Sequence, residues 1–168
     1  MGDLRVSWDE YHRLVERLAV RIDDSGWSFD AIVCLARGGL RVGDVLSRVF
    51  QRPLGVLFAS SYREGGGTQQ STLEISDCLS SARPLPGSRW LLADDLVDSG
   101  ETLLQVPPLL LARHPQLSEL RTAVIWRKGC SAAVPDYWVE SLPTNPWIYQ
   151  PFEEYEQLRA ADLRARLG

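Results

Sequence analysis

Apolar residues along the chain follow two spacings, which predict helices and strands in alternation. One stripe at helical spacing follows a Ser7–Glu10 capping box and consists of Tyr11, Leu14, Val15, Leu18 and Ile22. Short continuous apolar runs are typical of strands that are covered on both faces. Such runs lie at residues 30–35, 53–59, 89–93 and 120–126.

The remaining segments complete an alternating order of strands and helices. Further helices are predicted at 40–50, 100–113 and about 153–167, and a short returning strand at 72–75. Pro107 and Pro108 are expected to break or kink the second of these helices. The order predicts an α/β fold, a doubly wound, mostly parallel sheet flanked by helices. We expect one domain over residues 1–168, with a core at about 7–130, a small C-terminal hood at about 131–155 and a C-terminal helix at about 153–167.

Composition excludes several classes of protein. Of the 168 residues, 45% are hydrophobic and 24% charged, and the net charge is −4. Because neither half is basic, a protein that binds nucleic acid through broad electrostatics is disfavoured. Cys34, Cys78 and Cys130 have the spacing of neither a disulfide framework nor a zinc site. The first residues lack an apolar signal core and no apolar run approaches about 20 residues, so we expect a cytoplasmic protein without membrane contact.

The densest polar cluster follows the strand at 89–93. Asp94 and Asp95 end this strand, Asp98 stands three residues later, and a Ser-Gly-Glu-Thr turn leads into a helix. Free N–H groups and hydroxyls at a helix N-terminus bind phosphate, whereas carboxylates suit sugar hydroxyls or Mg²⁺. Helix capping alone needs one such residue rather than three carboxylates. The pattern therefore predicts a sugar-phosphate site, with Asp98 available as a base.

Residues 90–103 resemble the sequence motif of the type I phosphoribosyltransferases, which bind 5-phosphoribosyl-1-diphosphate (PRPP). The resemblance implies that Asp94 and Asp95 approach the ribose hydroxyls and Mg²⁺. It also implies a cradle for the 5′-phosphate that consists of Asp98, Ser99, Gly100, Glu101 and Thr102. Asp98 would accept or share the proton at purine N7 during attack on C1′.

A second stretch resembles the diphosphate-binding loop of the purine members of this family. Arg37 and Gly38 follow the strand at 30–35, and they would bind the diphosphate through the guanidinium and backbone N–H groups. Family members often have a cis, non-proline peptide bond in this loop. Taken alone, an Arg-Gly-Gly turn between a strand and a helix is equally typical of an ordinary connection.

Two further stretches resemble xanthine–guanine phosphoribosyltransferases. Lys128, the only lysine, stands directly after the strand at 120–126, and Trp147-Ile148 lies in a Trp-Ile-Tyr-Gln-Pro-Phe-Glu run. Lys128 offers only donors, which suits the O6 carbonyl of a 6-oxopurine, and Arg127 is an alternative donor. Trp147 offers a flat face for stacking, and the Ile148 carbonyl suits a 2-amino group. Taken alone, Lys128 would more often be a solvent-exposed lysine, and Trp147 would more often be an ordinary core or surface tryptophan.

Two other features are compared with the same family. Ser61, Tyr62 and Arg63, before the triple glycine, resemble its mobile catalytic loop, although Arg63 is the only nearby cation. Glu153 stands where relatives often have Asp, and together with Asp95 it is the candidate for contact with Mg²⁺.

The resemblance implies a 6-oxopurine phosphoribosyltransferase of purine salvage. Its partners would be PRPP, Mg²⁺, a purine base, the nucleoside monophosphate and diphosphate, and the protein is expected to be a homo-oligomer, a dimer or tetramer. The choice among guanine, xanthine and hypoxanthine stays open at this stage. Two alternatives also stay open: a PRPP-sensing regulatory protein on the same fold, and a phosphoribosyltransferase for another base.

Overall fold

A computed structural model describes residues 2–62 and 72–168. The described helices are α1 (Trp8–Asp24), α2 (Leu40–Phe50), α3 (Glu101–Arg113), α4 (Glu154–Gln157) and α5 (Ala160–Leu167). The described strands are β1 (Leu4–Arg5), β2 (Ala31–Ala36), β3 (Leu54–Tyr62), β4 (Thr72–Ser80), β5 (Arg89–Ala93), β6 (Leu96–Val97), β7 (Glu119–Lys128), β8 (Tyr137–Leu142) and β9 (Ile148–Tyr149).

A seven-stranded sheet forms the centre of the molecule. Its order is β4-β3-β2-β5-β7-β6, with β8 also paired to β7, and only the β3–β4 pair is antiparallel. Strand β5 pairs with residues 119–123 of β7, and β6 pairs with residues 126–127 of the same strand. Ala123 and Trp126 pair with β8 as well, so β5 and β6 lie end to end along one side of β7. The predicted mostly parallel α/β fold is confirmed.

Helices cover both faces of the sheet. Alternate residues of the central strands pack against α1 and α2 on one face, among them Ile32, Leu91 and Ile125. Their neighbours, such as Val33 and Leu92, pack with α3 on the other face. All six residues of β2 are buried, which is why its sequence is continuously apolar.

A second, two-stranded sheet lies outside the large one. Strand β1 pairs in parallel with β9, with Leu4 opposite Ile148 and Arg5 opposite Tyr149. The predicted hood at 131–155 therefore includes β8, which belongs to the large sheet, and β9, which belongs to the small one. Its boundaries as a separate unit stay a prediction.

Two helices differ from the forms that the sequence predicts, one by the absence of a break and one by an interruption. Helix α3 is not broken, because it continues from Glu101 through Pro107 and Pro108 to Arg113. Its buried face, which includes Val106 and Leu110, packs against the sheet on both sides of the proline pair, and this packing outweighs the missing N–H groups. The predicted helix at 153–167 is instead two helices. They are separated at Leu158 and Arg159, whose backbone is extended, and the Asp162 carboxylate accepts a hydrogen bond from the Arg159 N–H at 2.7 Å.

Strand β8 extends beyond the apolar patch that the sequence indicates at residues 137–139. A short link connects β7 to β8, and Asp136 is the residue directly before β8. The Asp136 carboxylate accepts hydrogen bonds from the backbone N–H and the hydroxyl of Thr122, at 2.7 and 2.9 Å.

Of the described helices, none is long and apolar enough to cross a membrane. Cys34, Cys78 and Cys130 are free thiols, as expected.

Close packing of α2 on β2 leads to a prediction about stability. A Cβ added at Gly43 would lie 2.5 Å from the Cβ of Cys34. Alanine favours a helix over glycine by about 1 kcal/mol, but overpacking costs about 1–3 kcal/mol. Because the Cβ of Cys34 cannot move away as a flexible chain end would, we expect a cost near the upper end of that range, and Gly43→Ala should lower the free energy of unfolding by up to about 2 kcal/mol, measured by urea denaturation. Val49→Ala on the exposed side of α2 is the control and should change it by less than about 0.5 kcal/mol; an equally stable Gly43→Ala would contradict the packing argument.

Candidate active site

A cavity of about 590 Å³ opens at the carboxyl end of the parallel strands. Eight of the residues predicted from the sequence line it: Arg37, Gly38, Asp95, Asp98, Lys128, Trp147, Ile148 and Glu153. Asp94 and Thr102 instead line a smaller adjoining cavity of about 240 Å³, which shares Arg37, Gly38 and Asp95 with the first. The two cavities therefore meet at Asp95, which together with Asp94 is called the acid pair below.

The acid pair lies at an interruption between β5 and β6. The Asp94 N–H donates to the Ala123 carbonyl at 3.0 Å, and the Asp95 carbonyl accepts from both Ile125 and Trp126, at 2.9 and 3.2 Å. Pairing with β7 then resumes, with Leu96 opposite Trp126 and Val97 opposite Arg127. This arrangement lets two adjacent carboxylates leave the strand without ending it.

Asp94 is held in a costly environment. Burial, followed by the nearby negative charge of Asp95, raises the pKa of the Asp94 carboxyl well above its usual range. Its Oδ1 accepts one hydrogen bond from the Asp95 N–H at 2.9 Å. Burial raises the pKa of the Tyr11 hydroxyl, and the nearby charges of Asp95 and Asp94 raise it further. This hydroxyl has no hydrogen-bond partner among the described residues. Groups whose pKa is shifted by burial and by a specific neighbouring charge are typical of functional sites.

Gln150 is a member of the site that sequence reasoning missed. It is 5% exposed, its amide nitrogen donates to the Asp95 carboxylate, and it lines the large cavity. Gly38 also lies against that carboxylate, since an added Cβ would come within 2.6 Å of Asp95 Oδ1. Gln150 belongs to the same sequence run as Trp147 and Ile148, so a polar residue within a largely apolar run was the available signal.

Asp98 and Lys128 form an ion pair at the cavity wall. Lys128 Nζ lies 3.3 Å from Asp98 Oδ2, and the two side chains are 5% and 51% exposed. The pairing of β6 with β7 brings them together, since residues 96 and 97 lie opposite 126 and 127. A buried lysine beside a half-exposed carboxylate presents one donor and one acceptor to the same cavity.

The turn from β6 into α3 is packed tightly beneath the loop that follows Lys128. Gly100 has φ +90°, and an added Cβ would lie 2.5 Å from the Ala133 nitrogen. The Ser99 carbonyl accepts from the Ala132 N–H at 2.9 Å, and the Ser99 hydroxyl accepts from the Glu101 N–H at 3.3 Å. In the described part of the chain, Ser99, Gly100 and Glu101 line neither of the two cavities. They instead form the turn that begins α3.

Arg37 reaches the cavity from the loop between β2 and α2. The Ala36–Arg37 peptide bond is cis, as the resemblance implies. The guanidinium of Arg37 lies 2.9 Å from the carboxylate of Glu156, and both side chains are largely exposed. Such an exposed pair contributes little stability, about 0–1 kcal/mol, so it leaves Arg37 available to an anionic ligand.

Trp147 and Ile148 also line the large cavity. The Trp147 ring nitrogen donates to the Glu153 carboxylate at 3.1 Å, and the residue is 56% exposed, whereas Ile148 is 3% exposed. Arg127, the alternative to Lys128, is absent from the cavity wall, and its guanidinium lies over the Trp138 ring at 5.5 Å. The geometry therefore favours Lys128 over Arg127.

The predicted mobile loop is only partly described. Ser61 and Tyr62 are the last two residues of β3. Arg63 lies outside the described residues, so its expected role is untested.

The phosphoribosyl transferase domain family matches residues 7–157 of this chain. The chain therefore belongs to the phosphoribosyltransferase family, a class of glycosyltransferase-type enzymes. The predicted family and enzyme class are confirmed.

Individual relatives are similar over most of the chain. A xanthine-guanine phosphoribosyltransferase from Ruegeria sp. (strain TM1040) is 29% identical over 156 residues, which cover 88% of this chain and 84% of the relative. The crystal structure of a purine phosphoribosyltransferase from Pyrococcus horikoshii Ot3 matches with a TM-score of 0.73 at 27% identity, over 91% of this chain and 95% of that one. A Helicobacter pylori xanthine-guanine-hypoxanthine phosphoribosyltransferase has the same fold, with a TM-score of 0.77 at 23% identity over 98% and 99% of the two chains.

The raised pKa of Asp94 predicts a pH-dependent gain in stability on its replacement. The folded state binds the proton of Asp94 more tightly than the unfolded state, so ionisation of this group destabilises the fold. We expect Asp94→Asn to raise the Tm at pH 8 by several degrees. The gain should shrink as the pH falls towards the ordinary carboxyl range, where the wild-type Asp94 is protonated.

Asp30→Asn is a control of opposite sign. Hydrogen bonds from the Arg89 and Ser88 N–H groups lower the pKa of Asp30. Its ionised form therefore stabilises the fold at neutral pH, and this stabilisation is lost as the pH falls through the lowered pKa. Asp30→Asn should lower the Tm at pH 8 and have less effect in acid. Parallel Tm profiles for Asp94→Asn and the wild type between pH 4 and 8 would contradict the assignment for Asp94.

Proposed function

We propose that the protein is a 6-oxopurine phosphoribosyltransferase. The reaction joins purine N9 to C1′ of PRPP, releases diphosphate and yields the nucleoside monophosphate. The observation that supports this most directly is the Lys128–Asp98 pair on the cavity wall, with Nζ and Oδ2 3.3 Å apart. The xanthine and guanine named for the relative from Ruegeria support a 6-oxopurine, and the name of the Pyrococcus protein supports a purine in general.

The chemistry of the pair matches one edge of a 6-oxopurine. O6 and N7 are neighbouring polar positions on that edge. Lys128 has only donors and suits O6, while Asp98 suits a proton at N7 and accepts or shares it as N9 attacks C1′. Adenine carries an amino group in place of O6, which would leave a buried ammonium without an acceptor. Trp147 then offers its ring for stacking and Ile148 its carbonyl for a 2-amino group.

The sugar-phosphate half of the site is assigned to the residues around the acid pair. Asp94 and Asp95 would hold the ribose hydroxyls as positive charge develops at C1′. Arg37 and the backbone of Gly38 would bind the departing diphosphate. The turn of Ser99, Gly100, Glu101 and Thr102 would bind the 5′-phosphate, because it begins a 13-residue helix, whose first N–H groups have no acceptor within the helix.

The carboxylates present fit a magnesium ion that arrives with PRPP. The described residues contain no group of three or more side chains able to hold a metal by themselves. Mg²⁺ is commonly bound through one or two carboxylates together with substrate phosphates, and Asp95 and Glu153 both line the cavity. When bound, the ion would neutralise charge on the leaving diphosphate. Asp95 would hold it, with Glu153 as the second candidate.

A panel of bases tests the proposal directly. Diphosphate release from PRPP and Mg²⁺ is measured with guanine, xanthine, hypoxanthine, adenine and uracil. We expect turnover with at least one 6-oxopurine and none with adenine. Activity with only adenine or uracil would contradict the base assignment while leaving the PRPP site, and PRPP binding without turnover of any base would favour a PRPP-sensing regulator.

Replacement of Asp98 separates catalysis from PRPP binding. We expect Asp98→Asn to lower kcat by about 10²–10⁴-fold, because it removes a group that accepts or shares a proton. The KM for PRPP should change by less than about threefold, since the turn into α3 keeps its N–H groups. Steady-state kinetics checks both values, with Asp44→Asn as a control on the exposed side of α2. Equal losses in kcat and in PRPP affinity would rule out the assigned role.

A further inference from the structure

The segment that contains Trp147 and Ile148 is held by the other end of the chain. The Leu4 N–H donates to the Trp147 carbonyl at 2.8 Å, and the Val6 N–H donates to the Tyr149 carbonyl at 3.0 Å. The Asp3 carboxylate accepts from the Trp147 N–H at 3.3 Å. Within the described ranges, β1 is the only strand paired with β9.

We propose that residues Asp3–Val6 are a positioning element for purine recognition, which fixes the strand that presents Trp147 and Ile148. The proposal rests on the proposed function, because it concerns the base half of the same site. It assigns to β1 no contact with the base. Its effect passes through the backbone of β9.

The register of β1 against β9 decides which carbonyl groups of residues 147–149 accept hydrogen bonds from β1 and which one does not. Carbonyls of successive strand residues point to opposite sides of the strand. Since the carbonyls of Trp147 and Tyr149 accept from β1, the carbonyl of Ile148 points to the other side. Ile148 lines the large cavity, and its carbonyl accepts from the Gln150 N–H at 3.1 Å, which leaves a second lone pair. A shift of one residue would exchange these roles.

Side chains lock this register. Val6 and Ile148, 6% and 3% exposed, belong to the same core cluster as α1 and α2. The guanidinium of Arg5 lies over the Tyr149 ring, 4.3 Å from its centre. Because an isolated two-stranded pair is marginally stable in water, the hydrogen bonds and these packing contacts have to act together. Loss of the β1 donors should therefore loosen Trp147 and Ile148 more than the acid pair, which belongs to the large sheet.

A proline substitution removes one donor selectively. Leu4→Pro deletes the N–H that bonds to Trp147, and Leu4→Ala trims the side chain but keeps that N–H. In Leu4→Pro we expect the KM for guanine to be roughly fivefold to tenfold higher than in Leu4→Ala, the range set by loss of one hydrogen bond. The KM for PRPP should agree between the two variants within about twofold. Amide hydrogen exchange of a peptide spanning 144–152 should be faster in Leu4→Pro than in Leu4→Ala.

A second pair of variants keeps the test valid if Leu4→Pro folds poorly. Asp3→Ala removes the acceptor for the Trp147 N–H, and Asp3→Asn retains an acceptor oxygen. We expect Asp3→Ala to raise the KM for guanine by about twofold to fivefold and Asp3→Asn to restore most of it. Stability alone would not produce this rescue together with an unchanged KM for PRPP.

The outcomes separate this inference from the proposed function. If the wild type uses guanine and both pairs of variants show equal guanine KM values, the positioning role is wrong and the proposed function stands. A parallel rise in the KM for guanine and for PRPP would also overturn it, because β1 would then support the whole fold. If the wild type uses no 6-oxopurine, the proposed function fails and this inference fails with it.

Discussion

The Asp95 carbonyl, which accepts hydrogen bonds from both Ile125 and Trp126, is the contact on which the site geometry depends. It allows β5 to be interrupted by two acidic residues and to continue as β6 on the same side of β7. The register of β6 then brings Asp98 beside Lys128. A slip of one residue would bring Val97 there instead, and the cavity would lose its neighbouring donor and acceptor.

The same arrangement concentrates negative charge where the protein can least solvate it. Asp94 lies beside Asp95, and burial makes its ionised form unfavourable. Two helices on one face and one on the other supply the apolar packing that offsets this cost. Destabilising charge is thus confined to the carboxyl end of the strands, where α/β proteins bind ligands.

Elements whose apolar pattern follows directly from burial were predictable from the sequence. The bounds of α2 and β5 agree with the structure, because apolar runs and helical spacing are set by burial alone. Strand β8 was only an apolar patch in the sequence. Its position depends on hydrogen bonds between Asp136 and Thr122, 14 residues apart. The link from β7 is also shorter than parallel strands usually need, so the sequence does not suggest this pairing. The split between α4 and α5 depends on a side chain that caps a backbone N–H, which periodicity does not record.

The candidate site was predictable to a similar extent. Residues whose type alone indicates a chemical role, such as Asp98, Lys128 and Trp147, lie around one cavity, as expected. Gln150 was missed because its role comes from a contact with Asp95, 55 residues away. The support of Trp147 by Asp3 was missed for the same reason.

That last contact joins residues 144 positions apart, and this separation has a consequence for how the molecule forms. Closing a long loop has an entropic cost that later contacts must recover, so long-range pairings tend to form late in folding. The strand pairs of the large sheet include neither β1 nor β9. A folding molecule can therefore complete the side of the cavity that holds Asp94 and Asp95 while the Trp147 segment is still undocked, so that the Trp147 side of the cavity is completed in the last stage of assembly.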